Sequence, residues 1–147
     1  MSKASRQKQR IWLIIAFAIL TYFASEYSPE KATSVPVVQS TLEQAIQQQR
    51  SDVQLQVSGT VFKLLADDLK GSRHQKFLIK TADGHSLLIV HNIDLAPRIN
   101  SLQNGDSLSV FGEYEWNEKG GLIHWTHHDP AGKHLAGWIK HQGQTYQ

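Results

Sequence analysis

"VQLQVSGTVFKLL", Val53 to Leu65, is the stretch on which the fold turns. Val53, Leu55 and Val57 alternate with Gln54, Gln56 and Ser58. That period of two marks a strand with one face buried, and Gly59 provides for a bend or bulge before the second apolar run, "TVFKLL". Downstream, the polar loop "ADDLKGSR" leads into "HQKFLIKT" (74–81), and Asp83-Gly84 supplies a hairpin turn into "SLLIVHN" (86–92). "IDLAPRINSL" (93–102) predicts a short helical or irregular crossing interrupted by Pro97. "NGD" (104–106) then turns the chain into "SLSVFGEYEW" (107–116), and "NEKGG" turns it again into "LIHWT" (122–126).

Three strands, a crossing and two more strands, with a bend in the first, is the order of an oligonucleotide/oligosaccharide-binding (OB) fold. In that five-stranded, partly open barrel the second and third strands and the adjoining loops carry the ligand. Any small antiparallel barrel gives a similar pattern. The expected class is therefore mainly β, a small OB-like barrel over residues 40–147. Trp138, Ile139 and Tyr146 of the C-terminal "HLAGWIKHQGQTY" are expected to help close it. Upstream, Ser40 and Glu43 are spaced as a capping box for a short helix whose apolar face is Leu42, Ala45 and Ile46. Pro29 and Pro36 mark residues 28–39 as a linker.

The N-terminus is of another kind. Lys3, Arg6, Lys8 and Arg10 make residues 1–10 a basic tail, and Ile11 to Ala24 carries no charge. As a helix that run spans about 21 Å, short for a bilayer core of about 30 Å. Extending it to Tyr27 brings in Glu26, and Trp12, Tyr22, Phe23 and Tyr27 sit near its ends as interfacial anchors do. A signal peptide has the same basic start, but cleavage after Ala24 would put Tyr22 where a small residue is preferred. Residues 11–27 thus read as an uncleaved signal anchor, with a removed signal peptide as the alternative. The basic tail stays in the cytoplasm under either reading. The expectation is a single-pass inner-membrane protein with its C-terminal domain in the periplasm, or a secreted or periplasmic one after cleavage.

Composition closes off several functions. The chain has 147 residues and no cysteine, which rules out disulfides, thiolate metal sites and a thiol nucleophile. Its single methionine makes a thioether copper site implausible. The formal charge of +2 comes from 15 cations and 13 anions, and setting aside the four cations of the tail leaves the rest slightly acidic. A duplex-DNA partner is not expected on that balance, because phosphate neutralisation supplies most of such affinity.

The chemistry concentrates in "GGLIHWTHHDPAG", Gly120 to Gly132. Were the strand to continue, His124, Thr126 and His128 would face one way, and Trp125 and His127 the other. Pro130 ends any pairing, so the chain is expected to leave the strand near Thr126 and bring His127, His128 and Asp129 back toward His124. Three uses compete. Trp125 can fill the barrel end while His127 and Asp129 bond loop backbone; His124, His127, His128 and Asp129 can bind a divalent metal such as zinc; or the edge can take a polar ligand without metal. His124 and His128 are candidate acid/base groups. An even-length turn at Asn117–Gly121 would set Glu113 beside His124, and an odd one would put Tyr114 there. Glu115 and Glu118 read as solvated.

A second candidate is the basic segment Lys63–Lys80, five cations against Asp67 and Asp68. His74, Lys76 and Lys80 share a strand face with Leu78, where this kind of barrel meets phosphates or sugars, although ordinary solubilising charge explains them too. Exposed aromatic platforms for single strands are not evident there. His91 reads as a buried, hydrogen-bonded histidine, and Arg98 as a partner for Asp94.

"VHNIDLAPRI", "GEYEWNEKGGLIHWTHHDP" and "GWI" followed by "GQTY" resemble a family of small proteobacterial proteins recognised by an HWTH motif, here His124, Trp125, Thr126 and His127. The resemblance covers about Val57 to Tyr146. It implies a domain of unknown function, and with it neither reaction nor cofactor. No H-E-x-x-H helix, G-x-S-x-G elbow or phosphate-cradling glycine loop points to a familiar enzyme.

Two functions follow from the residues. One is an exported, membrane-tethered module that binds a polar partner (oligonucleotide, glycan or protein) through His74, Lys76, His124, Trp125, His127, His128 and Asp129. The other is a metal-assisted hydrolase of phosphodiesters or glycans, with His124, His128 and Glu113 as catalytic candidates.

Overall fold

The computed structural model describes residues 37–147, with side chains from Leu42 onward. The basic tail, the expected anchor at 11–27 and most of the linker lie outside the described residues. Among those described, no helix is long and apolar enough to cross a membrane. Helix α1, Val37–Gln47, begins before Ser40. Leu42 and Ala45 are buried, and α1 packs on the first strand.

Seven strands follow: β1 (Val53–Leu64), β2 (His74–Lys80), β3 (Ser86–Asn92), β4 (Ser107–Glu115), β5 (Leu122–His124), β6 (Trp138–His141) and β7 (Gln144–Tyr146). β1 pairs with β4 through residues 53–60 and with β2 from Thr60 to Leu64. β2 pairs with β3, β3 with β5 in parallel, and β5 with β4. The barrel therefore closes in the order β1-β2-β3-β5-β4, which is the expected OB-like architecture. Long β1 serves both sides of the closure. Its register slips between Val61 and Lys63, two residues past the expected bend, and Phe62 is pushed outward. Gly59 instead marks a close crossing, since a Cβ there would lie 2.8 Å from the Lys80 carbonyl oxygen.

Alternation fills the interior. Val61, Phe77, Ile79, Leu87, Ile89, Val110, Tyr114, Ile123 and Ile139 are all buried, each from an inward position of its strand. The crossing after β3 is irregular rather than helical. Buried Gln75 holds it as a strand would, donating from Nε2 to the Ile99 carbonyl at 3.0 Å and accepting the Ile99 amide at 2.9 Å. The last strand of the barrel is divided. β5 lies along the C-terminal half of β4 and β6 along its N-terminal half, from Leu108↔His141 to Phe111↔Trp138, with residues 125–137 looping out between them.

Candidate functional site

The loop is forced out where β5 ends. Trp125 takes φ of 51°, a left-handed conformation costly for a bulky side chain. Thr126 is buried behind it, with its hydroxyl 2.8 Å from His91 Nδ1. His91 Nε2 faces the Pro97 carbonyl at 3.1 Å, so Nε2 carries the proton and Nδ1 accepts from Thr126. Burial pushes the His91 pKa down to about 4, the Pro97 carbonyl opposing and the nearby His127 and His74 adding to the fall. His91 is thus a neutral pillar beneath the loop. Gly137 closes the loop's base by donating to the His127 carbonyl at 3.0 Å. A Cβ on Gly137 would lie 1.9 Å from the Trp125 oxygen and 2.6 Å from that of Phe111. At the tip Asp129 accepts the amides of Ala131, Lys133 and His134, and these bonds, those of Ala131 and Lys133 foremost, hold its carboxyl below the usual range.

A cleft of about 220 Å³ opens between this loop and the outer face of β2 and β3. His74, Asn92, His124, Trp125 and His127 line it together with Ser72, Val90 and Leu95. The pairing His74↔Asn92 sets its floor. His127 donates from Nδ1 to the His128 carbonyl at 2.6 Å, which leaves Nε2 as the nitrogen able to accept when the ring is neutral. Trp125 is tilted against His127 at 5.2 Å and stacked on His134 at 4.2 Å. A larger open groove of about 740 Å³ lies elsewhere, lined by Phe62, Lys80, Lys140 and several hydroxyls. It holds neither imidazole nor carboxylate, so the smaller cleft is where the chemistry collects.

Beside the cleft lies an acidic cluster. Glu113 faces His124 in the β4–β5 register, as the even-length turn requires. His124 Nε2 is 3.3 Å from Glu113 Oε1 and 3.6 Å from Glu115 Oε1. The other Glu113 oxygen accepts from His134 Nε2 at 2.6 Å, and His134 Nδ1 donates to the Leu135 carbonyl at 2.9 Å. Both nitrogens of His134 face acceptors, so the ring is an imidazolium. Partial burial lowers its pKa, but the Glu113 and Leu135 bonds and the charges of Glu113 and Asp129 outweigh that and raise it.

The family model described as "Protein of unknown function (DUF3465)" matches residues 23–147. The chain belongs to the DUF3465 family. No curated protein matches it. The resemblance read from the sequence agrees at the level of an uncharacterised family.

In this DUF3465 domain, the cleft brings together His74, His124, Trp125 and His127. Lys76 is near in register but turns to Asp68, its Nζ 3.7 Å from Oδ2. His128 is exposed and its carbonyl braces His127, while the carboxylate of Asp129 is taken up by loop amides. The four candidate metal ligands at 124, 127, 128 and 129 are therefore not grouped, and among the described residues the donors that do meet are Glu113, Glu115 and His124. Arg98 pairs with Asp67 at 2.9 Å, because Arg73 already occupies Asp94 at 2.6 Å. Sequence alone gives Asn92 a strand-ending, turn-capping role, which its bond from the Asp94 amide at 2.9 Å matches, but not its place in the cleft, and it misses His134 and the part of Glu115. Asp-Pro-x-Gly at 129–132 is the signal that could have found His134, since it marks a turn that sends the chain back.

Proposed function

We propose that this DUF3465 domain is an exported, membrane-tethered module that binds a small polar ligand, or one unit of a polar oligomer, in the His74–His124–His127 cleft. One observation carries the reading: three imidazoles, an amide and a strained tryptophan from three separate segments converge on one hollow. Strain at a bulky residue is kept only where the surroundings over-determine it, and it clusters at binding sites. About 220 Å³ is below the range of sites for drug-sized ligands, so the occupant is a single ring or an anionic end group. His127 and Asn92 offer hydrogen bonds and Trp125 an apolar surface, a combination suited to a sugar or nucleotide unit.

The test uses N-acetylglucosamine, glucose 6-phosphate and uridine monophosphate as probes of the purified chain, followed by NMR of the tryptophan indole and histidine ring signals. At least one probe is expected to move the Trp125 and His127 resonances, with affinity falling at least about tenfold in His127→Gln. Shifts that spread over the surface, or that survive in His74→Gln and His127→Gln alike, would overturn the reading. The tether draws support from the basic start and the uncharged run at 11–24. Protease added to intact spheroplasts should remove the barrel domain; full protection would count against export.

A further inference from the structure

Glu113 and Glu115 point outward from one face of β4, and β5 sets His124 against both. The three donor atoms lie within 4.8 Å of one another. His124 Nε2 is shut off from solvent and makes no hydrogen bond, although two carboxylates flank it. An imidazole bonded to a carboxylate is drawn in to about 2.7–2.9 Å. The separations here are 3.3 and 3.6 Å. They match instead the edge of a tetrahedron around an ion bonded to nitrogen and oxygen at about 2.0–2.2 Å, which is roughly 3.3–3.6 Å.

One of the donors is also held in place. The Glu113 oxygen that does not face His124 is held at 2.6 Å by His134, which fixes the carboxylate as outer-shell partners of metal ligands do. We propose that Glu113 Oε1, Glu115 Oε1 and His124 Nε2 bind one divalent transition-metal ion, zinc foremost, and leave a fourth position for water. One imidazole with two carboxylates is a borderline donor set that selects against magnesium and calcium, which take oxygen ligands throughout. The site goes beyond the ligand reading and does not depend on it, because neither glutamate lines the cleft.

Titration of the metal-free, full-length chain, purified without a histidine tag, tests the assignment. Zinc is followed by calorimetry and cobalt(II) by its visible absorption. One equivalent should bind, cobalt should give the intense bands of a four- or five-coordinate ion, and excess magnesium should not displace it. Glu115→Gln, an isosteric change at a partly exposed position, should weaken binding at least about tenfold, and His124→Ala at least as much. His128→Ala should leave it unchanged, since that side chain is exposed and outside the cluster. If His124→Ala fails to fold, Glu115→Gln alone decides. No stoichiometric binding, binding that survives Glu115→Gln, or binding lost on His128→Ala would overturn the proposal. His127→Gln separates the two readings, since it should weaken probe binding in the cleft at least about tenfold while zinc binds as before.

Discussion

Thr126 shows how one hydroxyl can hold a site from beneath. It faces the barrel interior, not the cleft, and its hydroxyl is the partner of His91 Nδ1. Valine has nearly the same shape but no donor, so Thr126→Val would leave a buried ring nitrogen without a bond at a cost of about 1–3 kcal/mol. Urea unfolding should show the midpoint fall with an unchanged slope. An unmoved midpoint would mean that the hydroxyl is not what satisfies His91. Both residue types could be named from sequence, His91 as a buried, bonded histidine and Thr126 as part of the dense motif. Their pairing could not, because it joins β3 to the first residues of a loop whose path depends on the backbone turn at Trp125.

Among the elements, the divided final strand matters most. Its first half was legible, because "LIHWT" follows a glycine turn and alternates, and the register Glu113↔His124 was one of two that the turn allowed. The second half was legible only as a segment that helps to close the barrel, through Ile139 above all, and not as the continuation of β5. β6 is only Trp138–His141, and nothing local tells a four-residue run that it will resume the line of β5 across an intervening loop. Tertiary closure decides this, through Gly112 and Gly137, at which a Cβ would lie 2.3 Å from the His124 oxygen and 1.9 Å from the Trp125 oxygen, respectively. Both neighbours are backbone and cannot swing aside. Gly137→Ala should therefore open the loop's base, lowering the melting temperature by several degrees and making Lys133 a site of rapid tryptic cleavage. Wild-type resistance to trypsin in that variant would show that the pinch at Gly137 does not hold the loop.

On the scale of the whole molecule, pH reaches the fold chiefly through His91. Its ring is neutral when folded and resists protonation until about pH 4, whereas in the unfolded chain it protonates near 6.5. Between those values the unfolded state binds more protons than the folded one, so stability rises with pH. The contribution is fully present above about pH 6.5 and is lost as pH falls toward 4, a total of roughly 3 kcal/mol. His134 acts in the opposite sense. Its raised pKa adds stability below the unfolded value, and this is lost as pH rises through the folded one. Its side chain is part-exposed, so solvent screens the effect, and His91 sets the decline between about pH 6.5 and 4, above the range in which the depressed Asp94, Asp106 and Asp129 carboxyls take up protons. Unfolding free energies measured in urea at intervals from pH 7.5 to 4 should decline by about that amount, and the decline should flatten in His91→Gln, which carries no titrating ring. NMR gives a check that does not need the variant to fold: the His91 ring signals should stay at their neutral positions down to about pH 5. A His91 that titrates near 6.5 in the folded chain would place it in contact with water, and the bond from Thr126 could not then be the one that holds the loop against the barrel.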